Sequence, residues 1–135
     1  MPHLQFEINR SLKDEEKIPF AEEVRQHFSK TMDTGTDHIC ISIREYGTHN
    51  LSIGRAKDPD AGVAVVNADI REGRTMEQRR TLTLGFMDLM HKHWGVQKEQ
   101  MYVTLTEHKG EDFHLLEKYL GGWEEGEDPL ADLTT

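Results

Sequence analysis

Cysteine is almost absent from this chain. Its 135 residues include only Cys40, so no internal disulfide can form, and a reducing, cytoplasmic setting is expected. Long apolar runs are also missing. Nothing approaches the roughly 18 consecutive apolar residues of a membrane-spanning helix, so no membrane partner is expected. No basic and apolar leader opens the chain, and secretion is not expected. Positive charge is in deficit: 25 acidic residues against 16 basic ones give a formal charge of −9. That balance argues against a nucleic-acid partner, whose phosphates are neutralised by Lys and Arg. Part of the acidity is local, in the tail residues Glu124, Glu125, Glu127 and Asp128. Such a run reads as a solvated face and leaves room for a compact positive pocket elsewhere.

The sequence is equally poor in the usual cofactor and metal signals. No glycine-rich phosphate loop follows an opening strand. His91 and His93 are two apart on a helix and point about 200° away from each other, so they cannot chelate together. His108 and His114 have no companions at zinc-ligand spacing, and Cys40 has no neighbouring base to make it a nucleophile. No cofactor and no metal are expected.

What is present is periodicity. Leu4, Phe6 and Ile8 alternate with Gln5 and Glu7, which predicts a strand from Pro2 to Ile8 with one buried face. Ile18, Ala21, Val24 and Phe28 then recur at helical steps towards Met32. Pro19 belongs in a first turn, which places the start of regular helix near Lys17. Ile39, Ile41 and Ile43 mark a second strand. The pattern returns with a strand from Val63 to Ile70, a turn from Arg71 to Arg74, and a helix to Trp94. Thr75 reads as N-cap with Gln78 three residues on, and Gly95 as the left-handed stop. Met101, Val103 and Leu105 mark a last strand to Thr106.

A shift of 62 positions, which sets Ile8 on Ile70, also sets Gln5 on Asn67, Glu7 on Asp69 and Lys17 on Arg79. It carries Ile41-Ser42-Ile43 onto Val103-Thr104-Leu105 without a gap. Two copies of one β-α-β unit follow, with parallel strands inside each unit. The expected fold is a single α/β domain over 1–135, an α+β sandwich. A first unit spans 2–47, a second 63–108, and a C-terminal segment 109–135. The four strands form one mostly parallel sheet with both helices on one face. Val65, Ile41 and Val103 give its other face apolar residues to cover, so a homo-oligomer is expected.

Pro2, Arg71 and Arg74 are the first candidates for chemistry. Removal of Met1 leaves Pro2 with a free secondary amine, and burial beside arginines would make that amine a base near neutrality. Met-Pro is also a common beginning without function. Arg71 and Arg74 flank Gly73 between strand end and helix start. Two guanidinium forks there can hold a carboxylate and polarise a neighbouring carbonyl. They can equally be solvated turn residues.

The opening Met-Pro-His-Leu-Gln-Phe-Glu-Ile, the duplicated unit and Ile70-Arg71-Glu72-Gly73-Arg74-Thr75 together resemble the tautomerase superfamily. The likeness is to the longer-subunit groups around cis-3-chloroacrylic acid dehalogenase and malonate semialdehyde decarboxylase, and it covers about residues 2 to 108. It implies a homotrimer without metal or cofactor, with Pro2 catalytic and Arg71 and Arg74 serving catalysis and substrate binding. The dehalogenase group pairs its proline with a helix histidine, a tyrosine and a water-activating glutamate. Ser29 stands at the first position with His27 two residues away, Thr104 stands at the second, and Glu117 lies near the third. Asp37 fits the aspartate that the decarboxylase group places before its second strand, or else is a turn carboxylate. The resemblance implies a small carboxylate substrate. Tautomerisation of a 2-keto or enol acid asks least of the site. Decarboxylation of a 3-oxo acid with Asp37 assisting, and hydration or dehalogenation of a 3-substituted acrylate, are the alternatives. Outside catalysis, a module binding an acidic metabolite or a protein would keep the fold without needing a free Pro2.

Overall fold

The computed structural model describes residues 2–115 and 118–127, with the backbone alone at 118 and 119. Strand β1 (His3–Ile8) leads through helix α1 (Asp14–Met32) to β2 (Cys40–Glu45). A long connection then reaches β3 (Ala64–Arg71), α2 (Met76–Trp94) and β4 (Met101–His108). The four strands form one sheet in the order β2-β1-β3-β4. Pairing is parallel within each unit, β1 with β2 and β3 with β4, and antiparallel where the units meet, β1 with β3. A short hairpin, β5 (His114–Leu115) with β6 (Lys118–Tyr119), follows.

The duplication is as regular in space as in sequence. Both helices have 19 residues, and the same 62-position shift carries the ends of α1 onto those of α2. Their buried stripes correspond as well: Phe20, Val24, Phe28 and Met32 on α1, Leu82, Phe86, Met90 and Trp94 on α2. At the junction Gln5 pairs directly with its own equivalent, Asn67. That is the signature of an internal two-fold axis between the units.

The core lies between the sheet and the helices. Leu4, Phe6, Ile8, Val66 and Ile70 supply its sheet side and are fully buried. Phe6 meets Phe20 and Phe86 edge-on at centroid distances of 4.9 and 5.4 Å, a favoured arrangement for aromatic quadrupoles. Each such side chain contributes roughly 1.5–3 kcal/mol by leaving water.

The structure corrects three expectations. Helix α1 begins at Asp14, three residues before Lys17, so Pro19 is its sixth residue. Glu15, whose carbonyl Pro19 leaves without an N–H, is exposed, as is Pro19, so water can hydrate the freed group. Ile18 is 69% exposed; Phe20 starts the buried stripe, which runs at strict four-residue steps. Ile41 and Val103 pack against the core under the helices. Of the three apolar residues expected on the other face, Val65 alone falls there by alternation, beside Gln5, Glu7, Asn67, Asp69 and Thr104. That face is mainly polar and internally paired: Gln5 donates to Asp69 (3.3 Å), and His108 meets Asp69 at 3.0 Å. Thr75 and Gly95 cap α2 as expected, with Thr75 and Gln78 closing a reciprocal capping box and Gly95 left-handed at φ 69°.

Candidate active site

Antiparallel pairing of β1 with β3 decides where the candidate residues gather. His3 pairs with Asp69, so continuing the register sets Pro2 beside Ile70, one residue before Arg71. β2 runs parallel on the other side, and the Cys40 amide donates to the Pro2 carbonyl at 3.0 Å. Pro2 is buried at this end of the sheet. Asp37 lies in the exposed turn just before β2 and thus at the same end.

Arg71 and Arg74 are only 5% and 6% exposed, so neither is a solvated turn residue. Arg71 is the last residue of β3. Gly73 follows at φ 118°, a conformation that favours glycine, and it turns the chain into α2. Arg74 points back to the end of α1. Its Nε and Nη2 donate to the Met32 carbonyl at 3.2 and 3.0 Å, where an unpaired helix carbonyl and the negative end of the helix dipole both favour a cation. Burial, then the Arg71 charge, lower the Arg74 pKa to about 10, against the pull of Glu127 and Asp33. Arg74 therefore remains a cation at neutral pH.

The internal two-fold has a counterpart to this end. Met32 corresponds to Trp94, whose carbonyl accepts from Arg10. Arg71 corresponds to Asn9, a buried residue that exchanges hydrogen bonds with Val63, its amide to the carbonyl at 3.2 Å and its side chain from the amide at 2.7 Å. Ala64 takes the place of Pro2. The Pro2 end differs by gathering two buried arginines, Arg71 and Arg74, where its counterpart has Asn9.

The remaining candidates are dispersed. Ser29 donates to the Thr34 carbonyl at 2.5 Å, closing on its own helix end. His27 sits between the helices, where its Nε2 lies 3.2 Å from the Leu82 carbonyl; a carbonyl only accepts, so that nitrogen carries the proton. Thr104 is exposed in the middle of β4, paired with Asn67, away from the arginine end of this subunit. Glu117 lies outside the described residues. Among the described residues no three His, Cys, Asp or Glu side chains group as a metal site would require, and no helix is long and apolar enough to cross a membrane.

Residues 120–127 form a strap over this end, of which the sequence singles out only Trp123, as a loose echo of the aromatic C-terminal pocket of the decarboxylase group. The Trp123 ring covers Arg74 at 4.4 Å from guanidinium carbon to centroid. Glu127 pairs with Arg71 and accepts from the Thr34 hydroxyl at 3.1 Å. The Gly121 carbonyl takes a further Arg71 donor at 3.0 Å. Glu127 thus departs from the reading of the acidic tail as a solvated face. A buried cation needs a counter-charge, and this was the available signal; it does not say which of the tail acids responds.

No family model matches the chain and no curated sequence matches it. Solved structures do. N1, a member of the cis-3-chloroacrylic acid dehalogenase family, superposes with a TM-score of 0.79 at 17% identity over 89% of this chain and 84% of its own. A fused 4-OT described as an asymmetric trimer gives 0.75 at 17% identity, over 87% and 94%. FG41 malonate semialdehyde decarboxylase, inhibited by 3-bromopropiolate, gives 0.70 at 13% identity, over 82% and 86%. At these identities the likeness is one of fold.

Proposed function

We propose that this chain, which carries the fold of the tautomerase superfamily, is an enzyme whose base is the Pro2 amine and whose substrate is a small 2-keto or enol carboxylic acid. The observation that supports this most is the antiparallel β1–β3 pairing, which puts the start of β1 and the Arg71 end of β3 together in one subunit. The internal repeat adds to it. Asn9 holds the residue before Ala64, and the same operation sets Arg71 where the chain enters Pro2. Burial and two nearby guanidinium groups both disfavour a prolinium cation, so the amine is neutral enough to act as a base. Arg71 and Arg74 hold the carboxylate. The neutral amine takes the enol O–H proton, C2–O becomes a carbonyl, and the C2–C3 pair receives the proton from prolinium at C3. The arginines bear the enolate charge in between. A homotrimer completes the proposal, as the fused 4-OT of like fold is described as a trimer.

Similar folds are recorded with small carboxylates: Pt0534 is inactivated by 2-oxo-3-pentynoate, and the FG41 decarboxylase is inhibited by 3-bromopropiolate. Asp37, at the Pro2 end in its exposed turn, favours decarboxylation of a 3-oxo acid as the second reading. The test is intact-mass analysis joined to an assay with phenylenolpyruvate and malonate semialdehyde. Met1 should be absent, Pro2→Ala should abolish turnover, and Arg74→Ala should lower kcat/KM at least about tenfold, equivalent to about 1.4 kcal/mol. A retained Met1, or full activity in both variants, overturns the mechanism. Turnover of malonate semialdehyde alone transfers the assignment to the second reading.

A further inference from the structure

The strap places a carboxylate of the protein on the arginine that the proposed substrate carboxylate needs. Glu127 pairs with Arg71, whose other terminal nitrogen donates to the Gly121 carbonyl. Arg71 is 5% exposed, and its Nε is buried without a hydrogen-bond partner among the described residues. Trp123 meanwhile lies over the Arg74 guanidinium. A ligand carboxylate cannot reach Arg71 while Glu127 holds it.

The strap is anchored at a site with its own conformational oddity. Asp33, the residue after α1, has φ 50°, and no other described non-glycine residue has a positive φ; its counterpart at the end of α2 is Gly95. A side chain there costs about 1–2 kcal/mol relative to an unstrained conformation. Asp33 has a task that glycine cannot perform. Its carboxylate accepts the Gly126 amide at 2.7 Å, and its carbonyl accepts Trp123 Nε1 at 3.0 Å. Thr34, next in sequence, donates to Glu127. Both anchors lie just past the end of α1 and outside the sheet, so the strap can release Arg71 without disturbing the strands.

We infer that Glu127 is an internal competitor of the substrate carboxylate: the strap closes Arg71 with its own glutamate, and a carboxylate ligand binds by displacing it. This rests on the proposed role of Arg71 as a carboxylate receptor. Ligand affinity is then lowered by the fraction of molecules with the strap open, so an open fraction of about one in ten weakens binding about tenfold. Glu127→Gln removes the competing charge and keeps the side chain's size.

Calorimetric titration of the full chain and of Glu127→Gln with 2-oxobutanoate gives the two dissociation constants, and Trp123 emission reports the strap. Trp94, 2% exposed in the core, is the other tryptophan and verifies that the variant is folded. The expected result is a ligand-dependent change in Trp123 emission, with binding about tenfold tighter in Glu127→Gln. Equal or weaker binding by the variant, with the parent chain still binding, overturns the competitor and leaves the carboxylate site standing. Absence of binding in both chains overturns the receptor role of Arg71, and the competitor with it.

Discussion

At Gly85 an added methyl group would overlap the imidazole of His27, which reaches across from α1 to the Leu82 carbonyl. Gly85 is a helix-interior glycine, which costs roughly 1 kcal/mol relative to alanine, and the crossing explains why that cost is carried. Gly85→Ala gains helix propensity but displaces the ring and its hydrogen bond, about 1 kcal/mol, and adds strain of about 1–3 kcal/mol from overpacking. The substitution should therefore destabilise the parent chain and stabilise a His27→Ala chain by about 1 kcal/mol. A double-mutant cycle in urea checks this, the coupling being the discriminating quantity. No coupling between the two sites would remove His27 as the reason for Gly85. The same geometry ties His27 to the helix pair and away from Pro2, which two positions of sequence offset from Ser29 did not reveal.

Among the elements, α1 shows what a sequence discloses and what it hides. Period and caps are local, so the strands, the Thr75 and Gly95 ends of α2 and the 62-position repeat are all legible. The start of α1 is hidden because it depends on Glu16 accepting the Lys13 amide at 3.0 Å and on exposure at Pro19. The buried stripe is hidden because Ile18 and Phe20 are both apolar, and the sheet alone decides between them. The strap is hidden because it joins residues about 50 to 90 positions apart, such as Arg71 with Glu127 and Asp33 with Trp123. Helix α1 is also tied to β2, through Lys17 and Glu45 at 2.7 Å. The hydrogen bond from Lys17, aided by the Leu12 amide and opposed by desolvation, holds the Glu45 carboxyl below its ordinary 4.5. A carboxylate with a lowered folded-state pKa adds stability above its unfolded pKa and loses it as pH falls through the folded one. The urea midpoint should therefore exceed that of Glu45→Gln at pH 6, and the gap should narrow below about pH 4.5, the ordinary value of this group. A gap that stays constant down to pH 3 would mean that packing, not charge, connects the two elements.

For the whole molecule, the two faces of the sheet differ in kind. One is closed by the helices over a continuous apolar core. The other holds Gln5, Glu7, Asn67, Asp69 and Thr104 around Val65 and the exposed Tyr102, with Gln5 donating to Asp69 and His108 paired with it. A polar face needs no cover to remain in water, so association is not forced by apolar area alone, as the sequence had suggested. The proposed trimer must instead rest on shape and on polar pairs formed across the boundary. This makes Val65 a selective probe. It pairs with Glu7 across the β1–β3 ladder, so Val65→Arg places a cation opposite an anion and keeps the subunit fold stable. Across an interface that buries the same position, the added charge and bulk are unaccommodated. Light scattering coupled to size exclusion should give three times the 15.6 kDa chain mass for the parent and a mass near one chain for Val65→Arg, with urea midpoints of isolated subunits unchanged. A trimeric Val65→Arg chain would put the interface elsewhere than on the open sheet face. A monomeric parent would remove the trimer from the proposal and require Pro2, Arg71 and Arg74 to do their chemistry within one subunit.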